Sequence, residues 1–166
     1  MRTVRMGTVR RRLRHVCIAV CIAAPMAAGA GDVSHHDLPA GPIRDRHELM
    51  EDIGKQAKAI NDALKAGATG ENAKQIQAAA TAIAADAPKI APLFPSGSTH
   101  PKSRALPAIW SDWGAFDQSA KELETSATAL ATAAGSGDAA AIKAKSREMF
   151  TTCKTCHDHC RQPDED

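Results

Sequence analysis

The chain has 166 residues, of which 21 are Lys or Arg and 19 are Asp or Glu, giving a formal charge of +2. Six arginines and no acidic residue fall within the first 14 residues, so the rest of the chain is acidic and offers no basis for nucleic-acid binding. Tyrosine is absent, aromatic residues make up 3%, and alanine is abundant, a composition that favours helices over sheets.

Residues 1–30 are predicted to be a cleaved secretory signal peptide. An arginine-rich start precedes the apolar run "VCIAVCIAAPMAAGA", which closes on the small residues Ala28-Gly29-Ala30. That run is shorter than the roughly 20 residues that a membrane-spanning helix needs, which disfavours the alternative of a membrane anchor. We therefore expect residues 31–166 to form one exported, periplasmic domain with no membrane span.

Apolar residues at steps of three and four predict four helices in this domain. They run from about residue 43 to Gly67, from about 76 to 90, from about 106 to 134, and from Asp138, a good N-cap residue, to Cys160. The links "KAGATG" and "GSGD" are short, whereas the proline-rich stretch 91–107 is one extended crossover. This pattern predicts an all-α, antiparallel four-helix bundle with up-down-up-down order.

The last predicted helix contains a cluster of cysteines and histidines, "CKTCHDHC". Two thiols one helical turn apart, followed at once by a histidine, form C-x-x-C-H, the signal for covalent attachment of c-type haem. In this interpretation Cys153 and Cys156 bond to the haem, and His157 is the proximal ligand of its iron. A zinc site lacks a second ligand segment, a thioredoxin-like redox pair lacks a βαβ pattern, and simple burial leaves the histidine unexplained.

Further motifs occur in a fixed order along the chain. They are an arginine followed four residues later by a methionine, the turn "LFP", the helix start "ALPAIW", and C-x-x-C-H with a following arginine: Arg46 and Met50, Leu93-Phe94-Pro95, Ala105 to Trp110, and Cys153 to Arg161. Over about residues 40–161 the chain resembles the cytochrome c′ family, the class II c-type cytochromes.

The resemblance implies a bundle that binds one covalent haem c with its iron. It implies transfer of single electrons to and from redox partner proteins, without enzymatic turnover of a substrate. Homodimers are common in the family, so a homodimer is compatible with it. The resemblance names no individual partner.

The resemblance also places Met50 on the distal side of the haem. Our main expectation is that its thioether is the sixth iron ligand, giving a low-spin electron carrier. The alternative is a five-coordinate, high-spin cytochrome c′ that binds NO or CO at an open distal site. Two further options are that Met50 only fills the core, or that His47, one turn earlier, is the ligand.

Two arginines and a third cysteine complete the expectations. Arg46 and Arg161 are predicted to bind the haem propionates, because an arginine fork matches a carboxylate; a solvated surface charge is the alternative for either. Cys160 stands where the family has an aromatic residue, and we expect its thiol to be buried.

Overall fold

The computed structural model describes residues 37–163, so the predicted signal peptide lies outside the described residues. Within this range the chain forms five α-helices and, apart from one isolated bridge between Ala105 and Arg161, no β-structure. The prediction of an all-α bundle is confirmed. The helices are α1 (Pro42–Ala66), α2 (Gly70–Asp86), α3 (Ala108–Ser111), α4 (Trp113–Ser136) and α5 (Ala139–Cys160).

The first helix, α1, is amphipathic, and its end agrees with the sequence. Ile53, Ile60 and Ala63 lie buried on one side, while charged residues on the other side pair with each other across one helical turn. Gly67 caps the C-terminus with a φ of 113°, a conformation that residues with a Cβ rarely adopt. The predicted C-cap is therefore confirmed.

The third predicted helix is two helices in the structure, and the prediction of one continuous helix was wrong. The backbone leaves helical geometry at Asp112, with φ −131° and ψ 60°. The Asp112 carboxylate then accepts a 3.3 Å hydrogen bond from the N–H of Ala115, which caps α4. The aspartate supplies the cap that starts a new helix, a signal that the apolar spacing alone does not contain.

The last helix begins as predicted. Oδ1 of Asp138 accepts hydrogen bonds from the N–H groups of Ala140 at 2.9 Å and Ala141 at 3.2 Å. Gly137, which ends α4, has a φ of 74°, in the left-handed region that favours glycine. The short link therefore combines a glycine C-cap with an aspartate N-cap.

The core is built from isoleucine and alanine side chains with few aromatic rings. Its fully buried members include Ile60, Ile76, Ile83, Ile109, Leu130, Ile142 and Met149. Helices α1 and α2, α2 and α4, and α4 and α5 pack against each other, whereas α1 and α5 make almost no direct contact in the part of the chain that the structure describes. The first and last helices of the bundle, α1 and α5, therefore pack little against each other.

No helix within residues 37–163 has the length and apolar character needed to cross a membrane.

Candidate functional site

The two cysteines of the C-x-x-C-H motif lie one turn apart in α5. Both side chains are partly buried and pack against the apolar core. Burial raises the pKa of Cys153, and burial, followed by the neighbouring Cys160, raises the pKa of Cys156 to about 12. The two thiols are thus neutral near pH 7 and share one face of the helix. His157 follows them on an exposed position.

The third cysteine does not join the first two in a metal cluster. Cys160 is partly buried, so the expected burial of its thiol is met only in part, and this burial raises the pKa of Cys160. Within residues 37–163 no three or more His, Cys, Asp and Glu side chains are grouped so that they could hold a metal ion.

The candidate distal residue, Met50, lies in α1. Its side chain is partly buried and packs against the same core as Cys153 and Cys156. Since α1 and α5 make almost no direct contact, Met50 and the two thiols lie on two helices that pack little against each other. A large apolar group bound between these helices would contact side chains of both.

His47, the competing ligand, lies one turn before the glutamate Glu51. Its Nε2 atom is buried and makes no hydrogen bond, although Oε1 of Glu51 lies 3.4 Å away. The distance qualifies as an ion pair only if the imidazole is protonated, and the contact lacks hydrogen-bond geometry. His47 therefore stays an open alternative to Met50.

Arg46 is one of the two buried polar residues in the described chain, with 4% of its surface exposed. Its guanidinium donates to Oγ of Ser98 at 2.9 Å, to the carbonyl oxygen of Ser98 at 2.8 Å and to Oγ of Ser103 at 2.9 Å. It also lies 4.7 Å from the centre of the Phe94 ring. The alternative of a solvated surface charge is therefore wrong for Arg46.

These contacts give Arg46 a role in holding the crossover to α1. Three of its five N–H donor positions are occupied by protein acceptors. Contact between Arg46 and a haem propionate stays a prediction.

Arg161 ends α5, and its side chain is partly buried. Its N–H donates to the carbonyl oxygen of His157 at 3.1 Å, and its backbone forms the isolated bridge with Ala105. Arg161 lies four residues after His157 of the haem-attachment motif. Contact between the Arg161 side chain and a haem propionate also stays a prediction.

The sequence did not single out the two serines that accept from Arg46. Ser98 and Ser103 lie in the irregular crossover, where no periodic pattern marks a buried polar contact. The usable signal was the arginine itself, because a buried guanidinium requires acceptors from some other segment.

The family model described as Cytochrome C' matches residues 41–161. The chain belongs to the cytochrome c′ family. A cytochrome c′ of Rhodospirillum rubrum is 34% identical over 137 residues, which cover 82% of this chain and 92% of that protein. A cytochrome c′ of Rhodopseudomonas palustris is 36% identical over 121 residues, covering 72% and 80% of the two chains.

Solved cytochromes c′ share the fold. The structure from Rhodopseudomonas palustris has a TM-score of 0.69 at 32% identity and covers 76% of this chain and 100% of its own. Another, described as undergoing ligand-controlled dimer dissociation, has a TM-score of 0.64 at 27% identity, with coverages of 80% and 100%. A nitric oxide complex of a mutant cytochrome c prime from Alcaligenes xylosoxidans has a TM-score of 0.61 at 25% identity, with coverages of 75% and 98%.

As a cytochrome c′, the chain is a four-helix-bundle electron carrier with one covalent haem c and its iron. The residues present fit this cofactor. Two thiols lie on one face of α5, a histidine follows them, and α5, which packs against α4, makes almost no direct contact with α1.

Proposed function

We propose that Cys153 and Cys156 hold the haem, that His157 is the proximal iron ligand, and that the distal side is open to a small diatomic ligand such as NO or CO. The observation that carries this proposal is the scarcity of direct contact between α1 and α5, because a flat apolar group would fit between two helices that pack little against each other. When bound, haem supplies an iron that exchanges single electrons and can accept a ligand on its free face.

The comparisons support the open distal side. The two relatives described above are both named cytochrome c′, and one solved cytochrome c prime, at 25% identity, is a nitric oxide complex. In this proposal Met50 is a wall of the distal pocket. Its flexible, apolar side chain fills space beside the ligand and keeps water away from it.

Ligation by Met50, our main expectation from the sequence, is the second candidate. Its specific support is position: Met50 lies one helical turn after the buried Arg46, on the side of α1 that packs against the core and not on the solvent side. A thioether ligand would favour the reduced iron and close the distal face. The protein would then be a six-coordinate electron carrier.

Electron paramagnetic resonance of the ferric holoprotein separates the two candidates. The proposal predicts a high-spin signal both in the wild type and in Met50→Leu, because neither side chain binds the iron. A low-spin wild type that becomes high-spin in Met50→Leu would establish Met50 as the ligand. A low-spin signal that persists in Met50→Leu would point to His47.

Export to the periplasm belongs to the same proposal. It is supported by the arginine-rich, apolar leader of the sequence and by the family, whose haem is attached covalently. Expression of the full chain in a bacterium that matures c-type cytochromes, followed by fractionation, tests it. Haem protein in the periplasmic fraction that has lost residues 1–30 supports the proposal, and haem protein retained in the membrane fraction contradicts it.

Electron transfer without turnover of a substrate, together with assembly as a homodimer, completes the proposal. The solved relative with ligand-controlled dimer dissociation supports the dimer. Sedimentation of the reduced holoprotein with and without CO measures whether the protein is a monomer or a dimer. We expect a dimer without the gas, and a monomer at every concentration would remove this part of the proposal.

A further inference from the structure

One segment of the crossover, residues 98–106, contacts both α1, which carries Met50, and the end of α5, which carries the proposed proximal ligand His157. The guanidinium of Arg46 donates three hydrogen bonds to this segment. The hydroxyl and carbonyl oxygens of Ser98 and the hydroxyl oxygen of Ser103 accept them. All three have lengths of 2.8–2.9 Å and a charged donor, and such bonds are about twice as strong as neutral ones. The start of the segment is therefore firmly attached to α1.

The other end of the segment is attached to the last residues of α5 and the chain that follows. The N–H of Leu106 donates to the carbonyl oxygen of Cys160 at 2.9 Å, and the N–H of Gln162 donates to the carbonyl oxygen of Arg104 at 2.8 Å. A guanidinium nitrogen of Arg104 donates to the carbonyl oxygen of Gln162 at 2.6 Å. These contacts surround the bridge between Ala105 and Arg161.

The two attachments lie close in sequence to Met50 and to His157. Arg46 is four residues, or about one helical turn, before Met50, and Cys160 is three residues after His157. Since α1 and α5 hardly touch each other, residues 98–106 form a direct tie between two helices that do not otherwise support each other.

We infer that Arg46, Ser98 and Ser103 are positioning residues that set how closely Met50 approaches the haem carried by α5. The inference rests on the proposed function, because it assigns the tie a role at the distal face. With the tie intact, the first turns of α1 are held at a fixed distance from the end of α5. Loosening the tie lets Met50 move away from the distal face, which opens that face to a ligand.

The test compares the double variant Ser98→Ala/Ser103→Ala with Thr99→Ala in the holoprotein. Thr99 lies between the two serines in the same segment, is exposed, and its hydroxyl makes no hydrogen bond within the described residues, so its loss controls for a missing hydroxyl. Two quantities are measured: the affinity of the reduced protein for CO, and hydrogen exchange of the α1 amides around residues 46–50.

We expect the double variant to bind CO about fivefold or more tightly than wild type, the lower range of coupling between separate sites. We also expect its α1 amides to exchange faster. Thr99→Ala should match wild type in both measurements. If the double variant is not recovered folded, the single variant Ser103→Ala, which keeps both Ser98 acceptors, is expected to change both quantities in the same direction.

Equal CO affinity and equal exchange in the serine variants and Thr99→Ala would overturn the inference. Faster exchange with unchanged CO affinity would also overturn it, because the tie would then serve stability alone. A wild-type protein that carries no haem contradicts the proposed function and is recognised before any variant is compared.

Discussion

The guanidinium of Arg46 donates a 2.9 Å hydrogen bond to Oγ of Ser103, a residue 57 positions later in the chain. With the two bonds to Ser98, this contact joins the first helix to the crossover through a buried charge. The buried charge is balanced by acceptors and by the ring of Phe94. Arg46 should therefore matter more for stability than other cations of α1.

Replacing Arg46 by methionine should lower the free energy of unfolding by about 2–3 kcal/mol. The variant keeps an apolar stem of similar length but leaves the Ser98 carbonyl and the Ser103 hydroxyl without their charged donor. Urea unfolding of the holoprotein, followed by far-UV circular dichroism, measures the change. The two free energies of unfolding can be compared if the slope of the free energy against urea concentration is the same in the variant and the wild type.

Lys55→Ala is the matched control, because it removes another cation of the same helix. Lys55 pairs with Asp52 at 2.7 Å, but both side chains are largely exposed, at 68% and 61%. Exposed pairs contribute little to stability because water and salt screen them, so this variant should unfold close to wild type. Equal losses for Arg46→Met and Lys55→Ala would contradict the account of Arg46.

Covalent attachment of haem should depend on Cys153 and Cys156 and not on Cys160. The first two thiols have the C-x-x-C-H spacing, whereas Cys160 lies beyond the histidine, and its carbonyl oxygen is held by Leu106. Cys153→Ala/Cys156→Ala should lose all haem after denaturation and acid extraction, while Cys160→Ser should keep the wild-type amount. Haem staining of a denaturing gel is the measurement. Covalent haem that survives in the double variant would implicate Cys160.

Removing the N-cap of α5 should cost more than removing the cap of α4. Asp138 accepts from two backbone N–H groups, the shorter bond at 2.9 Å, whereas Asp112 accepts from one at 3.3 Å. We expect Asp138→Ala to lower the free energy of unfolding by about 1 kcal/mol, and Asp112→Ala to lower it by less. Calorimetry of the holoproteins measures both, and the reverse order would contradict the cap assignment.

Trp110→Phe should destabilise the bundle by about 1 kcal/mol. The indole N–H donates to the carbonyl oxygens of Phe94 and Pro95, both at 3.1 Å. Phenylalanine leaves the Phe94 carbonyl without this donor, whereas the Pro95 carbonyl still accepts from the N–H of Ser98. Trp113→Phe is the control, because Trp113 is 42% exposed and changes little of the core. Chemical unfolding compares the two, and a greater loss for the control would contradict this assignment.

The helical bundle and the haem-attachment motif could be predicted from the sequence because both depend on local spacing. Apolar steps of three and four give α1 and α5, glycine and aspartate mark Gly67 and Asp138, and C-x-x-C-H lies within one helix. These patterns are complete within a few residues. Knowledge of the neighbouring helices is not needed to read them.

The break at Asp112 and the partners of Arg46 depend on contacts that no local pattern contains. Apolar residues continue at helical spacing through Asp112, so the spacing hides the break, and the capping carboxylate decides it. The serines that bind Arg46 come from an irregular segment more than 50 residues away. The chemistry of the distal side of the haem cannot be predicted from a local pattern either, because it depends on the distance between Met50 and a group carried by another helix.

The absorption spectrum of the reduced wild-type holoprotein, recorded with and without CO, tests the central claim most directly. If one haem c is held by Cys153, Cys156 and His157 with an open distal face, the spectrum is high-spin without the gas and shifts to a low-spin form when CO is added. A sharp low-spin spectrum that CO leaves unchanged would contradict the claim and assign the sixth position to a side chain of this protein.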